Sequence, residues 1–302
     1  MNFLDILKII VLGIVEGITE WLPVSSTGHL ILLDRFWPFK NVADGFANEA
    51  FMNMFEYVIQ LAAILAVVVI FWKKIFPIDV KIAPLTTQTE AGEQTKKKLK
   101  LAWKKDILTM WLKVVVACIP AVLALIVDKL FESLSPMVET AIIASTLILY
   151  GVAFILVETF FKKDAKVQEI SQLSYKYAFF IGCFQLLAVI PGTSRSGITI
   201  LGALLLGVSR TTAAEFTFFL AIPTMVAASA YKLLKFFLDA GAFTAPQIAY
   251  LAIGSVIAFA VSLFAVKFLM DFVKKHDFKV FGWYRIGLGV LVLLLILLPI
   301  LF

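Results

Sequence analysis

Histidine and cysteine are scarce in this chain of 302 residues, with two of each. Cys118 and Cys183 both lie inside apolar runs, which excludes a disulfide framework and a cysteine-ligated metal centre. They read as small packing residues. Charge is sparse as well. Only 16% of residues are Asp, Glu, Lys or Arg and 61% are hydrophobic, whereas a soluble domain is roughly 45–50% apolar. That balance excludes a soluble globular fold and indicates a polytopic membrane protein. The net charge of +6 sits mostly in clusters between apolar runs, so it sets topology, and no nucleic-acid partner is expected. The N-terminus lacks a positive n-region and a small-residue cleavage site, so no cleaved signal is expected.

Long apolar runs are abundant. Residues 51–72, 107–127, 138–160, 213–232, 248–270 and 283–301 each come close to the ~20 residues that cross about 30 Å of hydrocarbon as a helix. Pro120 inside the second run is tolerable where neighbouring helices satisfy the freed carbonyl. Two other stretches are too short to span. Residues 3–15, a polar turn at 23–27 and a short helix to about 37 form one expected re-entrant hairpin, about 3–37. Residues 175–190 and 197–209 flank PGTSRSG and form the other, about 175–209. Residues 38–50 read as a loop, and about 73–105 as an extended hydrophilic loop ending in KKKLKLAWKK. The lysines of that loop, Lys162, Lys163, Lys166, Lys274, Lys275 and Lys279 share one side only if the second hairpin does not cross. By the positive-inside rule that side is cytoplasmic and both termini lie outside. The expected architecture is a single all-α integral membrane domain over residues 1–302, with six transmembrane helices and two re-entrant helical hairpins in an inverted repeat.

The hairpins carry the chemistry. The first reads EGITEWLPVSSTGHL from Glu16, the second QLLAVIPGTSRSG from Gln185. Setting Pro23 against Pro191 places Ser26 opposite Ser194, with Gly28 and Gly197 shortly after. Glu16 and Glu20 stand four apart, so on a helix their Cβ atoms are about 5–6 Å apart. Like charges that close need a shared proton, a cation or an arginine. Ser25, Ser26 and Thr27 are good caps for the helix after Pro23, whose free N–H groups make an anion site. Ser26 and His29 are three apart, so their side chains can approach each other. Arg195 lies at the opposite tip, where a guanidinium can bond a phosphate in two places. An arginine at mid-membrane costs at least ~2.5–3.5 kcal/mol to insert, so it should face a cavity and an anionic partner. The set describes a phosphate-handling site: Glu16, Glu20, Ser26, His29 and Arg195 for catalysis, with Ser25, Thr27, Gln185, Gly192, Thr193, Ser194 and Ser196 against the substrate. Ser26 stands equally as nucleophile or phosphate ligand. Gln60, Arg210 and Glu215 read as packing or interfacial groups.

EGITEWLPVSSTGHL, FEYVIQLAAILAVVVIF, PGTSRSG and SRTTAAEFTFFLAIP, in that order over nearly the whole chain, resemble the signature segments of the bacterial undecaprenyl-diphosphate phosphatase family, also called the bacitracin-resistance protein family. The resemblance implies a multi-pass enzyme of the bacterial inner membrane that removes the terminal phosphate from undecaprenyl diphosphate, with its active site opening to the periplasmic face. It maps the family's glutamates onto Glu16 and Glu20, its serine and histidine onto Ser26 and His29, and its arginine onto Arg195. The acid pair is expected to bind a divalent cation, Mg²⁺ or Ca²⁺, together with the phosphates. The partners are then the polyprenyl diphosphate and membrane lipid, and a homodimer is compatible with the chain. A phosphatidic-acid-phosphatase type of enzyme needs a second site histidine, and His276 lies in the cytoplasmic cluster KKHDF. A polyprenyl-phosphate transporter would suit inverted hairpins equally well.

Overall fold

The computed structural model describes residues 3–37, 49–89, 92–127, 134–160, 165–240 and 242–301. The expected loop at 38–50 and the lysines 162 and 163 fall wholly or largely outside them. The body is all-α, and among the described residues four helical runs are long and apolar enough to cross a membrane: Lys105–Leu123, Pro136–Phe160, Arg210–Leu238 and Ala245–Val273.

The chain opens with a broken pair, α1 (Phe3–Thr19) and α2 (Ser26–Phe36), which pack on each other across the turn at Pro23. The ammonium of Lys8 lies 5.6 Å from the ring centroid of Trp37, so the start of α1 and the end of α2 are neighbours. A second broken pair comprises α8 (Tyr175–Leu186) and α9 (Arg195–Leu205), separated by a 3₁₀ turn and the Pro191-Gly192 corner. The segment leading into it is tied to its far end, since the Lys166 and Val167 amides both donate to Gly207 O, at 2.9 and 3.3 Å. Both pairs therefore return to where they start.

Between and after them run α3 (Glu49–Ile70), the short α4 (Trp72–Ile75), α5 (Lys105–Cys118), α6 (Ala124–Val127), α7 (Pro136–Phe160), α10 (Arg210–Ala240), α11 (Ala245–Val273) and α12 (Lys279–Leu301). At 22 and 23 residues, α3 and α12 reach about 33–35 Å. The run expected at 107–127 is interrupted: Pro120 has no N–H to continue α5, and Pro120–Leu123 tightens to a 3₁₀ turn before α6.

One expectation is corrected in form. Residues 73–105 are largely a β-hairpin, with β1 (Ile78–Thr89) antiparallel to β2 (Gly92–Trp103) from Ile78↔Trp103 to Thr89↔Gly92. The register sets Val80 against Leu101 and Ile82 against Leu99. That two-residue apolar period is the strand signal hidden among the lysines.

The helices are packed with two-fold character. The helix α1 rests on α11 as α8 rests on α5; α3 flanks α11 as α10 flanks α5; α2 meets α12 as α9 meets α7; and the pairs α3–α10 and α7–α12 join the halves. This is the inverted-repeat arrangement. The helix starts correct its register, because Ser25 holds the N-cap position of α2 and Ser194 that of α9. Ser25, and not Ser26, is therefore the counterpart of Ser194, with Glu16 opposite Gln185 and Gly13 opposite Gly182. The turn before the first cap is one residue shorter on its proline-to-cap side, so aligning the prolines shifts every later pair by one.

One end of the bundle gathers the polar anchors. Lys74 pairs with Glu215 at 2.6 Å. Arg210 binds Glu158, whose Oε1 also accepts from the Phe278 amide at 3.0 Å. Lys113 donates to Ile170 O and Ser171 O, both at 2.9 Å. Helix ends expected to be cytoplasmic thus lie together.

Glycine lets the helices touch. A Cβ at Gly182 would sit 2.1 Å from Ala117 O, and Cβ atoms at Gly151 and Gly282 would each sit 2.7 Å from the other's carbonyl oxygen. Such contacts replace the hydrophobic drive that lipid removes. Gly182→Val should lower stability in detergent by at least ~1–3 kcal/mol, read as an earlier thermal transition. Gly287, with nothing within 4 Å of its would-be Cβ, should gain up to about 1 kcal/mol as Ala.

Candidate active site

The two hairpin tips meet. Arg195 Nη2 donates to Glu20 Oε1 at 2.6 Å, joining residues far apart in the chain. The same guanidinium reaches Thr224 Oγ1 at 3.2 Å and Ala221 O at 3.4 Å. These lie beside Pro223, the proline inside α10. Ser196 Oγ donates to Leu22 O at 3.4 Å across the same junction. Behind it, Arg285 of α12 donates to Pro23 O and Gly192 O, each at 3.3 Å. Thr146 Oγ1 of α7 donates to Pro191 O at 2.8 Å. Backbone turned out of helical bonding inside an apolar body needs such partners.

Glu16 is buried, and neither of its carboxylate oxygens has a hydrogen-bond partner. Its polar neighbours are Glu20, Glu56 and Gln60. Glu56 and Gln60 stand four apart on α3, as Glu16 and Glu20 do on α1. No group of three or more His, Cys, Asp or Glu among the described residues is arranged to hold a metal by itself. The unpartnered oxygens of Glu16 beside Glu20 nonetheless suit a hard cation that takes the rest of its shell from phosphate and water.

At the start of α2, Ser25 has φ 72, the only positive φ of a non-glycine among the described residues. Such backbone costs about 1–3 kcal/mol and persists only where its surroundings enforce it. Here the enforcing contact is His29, whose Nδ1 lies 2.7 Å from Ser25 O. A carbonyl only accepts, so Nδ1 carries the proton. Nε2 then accepts from Tyr284 Oη at 2.6 Å. Both ring nitrogens are taken by these partners, and neither bonds Ser26. Ser26 is half-buried at the first turn, and the Thr27 side chain lies outside the described residues.

The opposite tip is built differently. Ser194 caps α9 by accepting from the Gly197 amide at 3.1 Å and lies 3.1 Å from Ser196 Oγ. Gly192 has φ +81, and a Cβ there would meet Thr146 Oγ1 at 2.3 Å. Thr193 Oγ1 is buried without a partner, an available ligand next to the helix start. Gln185 is buried where its counterpart in the first hairpin is Glu16.

Of the expected residues, the structure joins Glu20 to Arg195 and sets Glu16 beside Glu20. Ser25, His29, Ser194 and Ser196 fall in the two tips. Sequence reasoning missed Glu56, Thr146, Thr224, Tyr284 and Arg285. For Glu56 and Arg285 a signal existed, an ionisable residue inside an apolar run. For the others there was none, since hydroxyls and rings are ordinary in membrane helices.

The family of the bacitracin resistance protein BacA matches residues 9–291. A protein of Enterococcus faecalis named undecaprenyl-diphosphatase is 53% identical to this chain over 98% of each. Proteins of the same name from Lachnoclostridium phytofermentans and Desulfitobacterium hafniense are 51% and 52% identical over 97% of each chain. With the two signature stretches meeting in space and the match running almost end to end, the chain belongs to the bacitracin resistance protein BacA family.

Proposed function

We propose that this chain is an undecaprenyl-diphosphatase, hydrolysing undecaprenyl diphosphate to undecaprenyl phosphate and inorganic phosphate. That reaction recycles the lipid carrier of cell-wall synthesis and underlies bacitracin resistance. The observation that carries the reading is the Glu20–Arg195 pair at the junction of two helix starts, enclosed by apolar helices. An anionic head group can be held there while a prenyl chain lies among the helices. Phosphate release by detergent-purified protein tests it, because transport has no meaning without a bilayer. Binding without release would leave a polyprenyl-phosphate transporter.

In the mechanism, the terminal phosphate replaces Glu20 on Arg195. The guanidinium and the amides at the start of α9 then stabilise the equatorial oxygens as charge develops. Ser26 Oγ attacks in line: its bond to phosphorus forms, the anhydride bond to the lipid phosphate breaks, and undecaprenyl phosphate leaves. Water then cleaves the serine phosphate to inorganic phosphate. Glu20, released from Arg195, takes the Ser26 proton. His29 is a weaker candidate for that role, since its acceptor nitrogen is occupied by Tyr284. Glu16 and Glu20 would hold a Mg²⁺ or Ca²⁺ ion, whose chemistry is to offset phosphate charge.

The site is assigned to the outer face of the inner membrane, with six spans and both helix pairs re-entrant. The lysine-rich hairpin β1–β2 is then cytoplasmic. With native cysteines replaced, Ser135→Cys should react with an impermeant maleimide on intact cells and Thr95→Cys should not. Outside labelling at Thr95 would reverse the topology.

Arg195→Ala should lower kcat by about 10²–10³-fold and weaken substrate binding, because the ground-state phosphate is held too. Glu20→Gln should lower kcat by about 10²–10⁴-fold. Ser26→Ala should do as much, and near-normal turnover in that variant would transfer the attack to water. Chelation should abolish activity and added Mg²⁺ or Ca²⁺ restore it. Full activity in metal-free buffer would instead assign the Glu16–Glu20 pair a shared proton.

A further inference from the structure

Arg285 lies within α12, a largely apolar helix, and its side chain is fully buried. Among the described residues it forms no ion pair. Its Nη1 and Nη2 each bind a carbonyl oxygen, Pro23 O and Gly192 O, and its Nε has no hydrogen-bond partner. Its guanidinium carbon is 5.7 Å from the centroid of the Tyr150 ring, within cation–π range. Gly197 leaves room for it, as a Cβ there would sit 3.0 Å from Nη1.

A guanidinium buried without an anion is held at a net electrostatic penalty, so its position calls for an explanation. The acceptors supply one. Pro23 precedes the Ser25 cap by two residues, and Gly192 precedes the Ser194 cap by two. Among the described residues, neither oxygen accepts another hydrogen bond. One planar fork therefore spans the equivalent corner of both hairpins, and a change at either corner moves the helix start behind it.

We propose that Arg285 is a positioning residue: it fixes the separation and tilt of the two hairpin tips through Pro23 O and Gly192 O, so that the Ser26 side and the Arg195 side face one phosphorus. The assignment of a phosphorus rests on the phosphatase reading; the tying of the tips does not. Lysine cannot substitute, because a single ammonium lacks the planar fork that reaches two carbonyls in fixed directions.

The test uses full-length protein in detergent, as wild type, Arg285→Met and Arg285→Lys, with hydrogen exchange followed by mass spectrometry beside steady-state kinetics. Exchange should rise in both variants at both tips, residues 21–28 and 190–197, and stay unchanged in α3 and α10. With undecaprenyl diphosphate, kcat should fall by roughly 100-fold, as for a misplacement of about 1 Å, while KM stays close to that of the wild type. Unchanged exchange at the tips, a rise at one tip alone, or wild-type protection and kcat in Arg285→Lys would each overturn the proposal. A large increase in KM, with the tips still protected, would also overturn it, making Arg285 a substrate ligand. Arg285→Lys alone decides the matter if Arg285→Met does not fold. A wild-type protein without phosphate release would sink the phosphatase reading, while the exchange data would still judge the tie between the tips.

Discussion

The structure depends on satisfying broken backbone inside an apolar body. Each hairpin must turn at a proline, and at each turn several carbonyls and amides lose their helical partners. Packed among apolar helices, such groups need partners from elsewhere in the protein. The replacements come from side chains of other helices: Arg285 on Pro23 O and Gly192 O, Thr146 on Pro191 O, and Ser196 on Leu22 O. The tips are therefore held by the second half of the chain, by α7 and by each other. That is why a site can exist where α1, α2, α8 and α9 alone would leave polar groups unpaired.

The two-fold packing follows from the same need. Two hairpins related by an inverted repeat present their helix starts to one another, so two positive dipole ends converge on one space. Convergence requires close approach, and close approach requires glycine at the contacts between α8 and α5 and between α7 and α12. The halves have diverged where the chemistry sits. Glu16 faces Gln185 in the repeat. Ser25 is strained and carries no cap bond where Ser194 is relaxed and capped. One tip thus carries acids and a histidine-held turn, the other an arginine and a capped helix start.

The broken helix pairs, the long helices and the Glu20–Arg195 junction are legible in the sequence because each leaves a local mark: an apolar run, a proline, a polar residue where none is expected. Aligning the prolines misplaces the repeat register by one residue, because a turn can shift its proline without shifting its cap. The β1–β2 hairpin reads as a loop because lysines mask its period of two. Tyr284 is invisible for a different reason. Its role is set by where α12 crosses the start of α2, a tertiary relation that no spacing within either helix records. Spacing likewise pairs Ser26 with His29, but the helix turns the ring toward Ser25 O and Tyr284 instead.

The two arginines at the junction divide two tasks by the kind of partner each has. Arg285 holds backbone oxygens, which cannot leave without unfolding a turn, and it is wholly buried. Arg195 holds a carboxylate, which rotates away on a side chain, and about a fifth of its own side chain is exposed, 18%. Only the second arrangement permits exchange. In the proposed mechanism an incoming phosphate takes Glu20's place on Arg195 without leaving the arginine unpaired, and the displaced carboxylate is free to receive a proton or a cation. Without substrate, the same pair keeps two charges from standing alone among apolar helices, where an isolated charge is costly. In the proposed mechanism the resting and reacting states use the same arginine with different anions, while the proposed tie through Arg285 behind it keeps the geometry constant through the exchange.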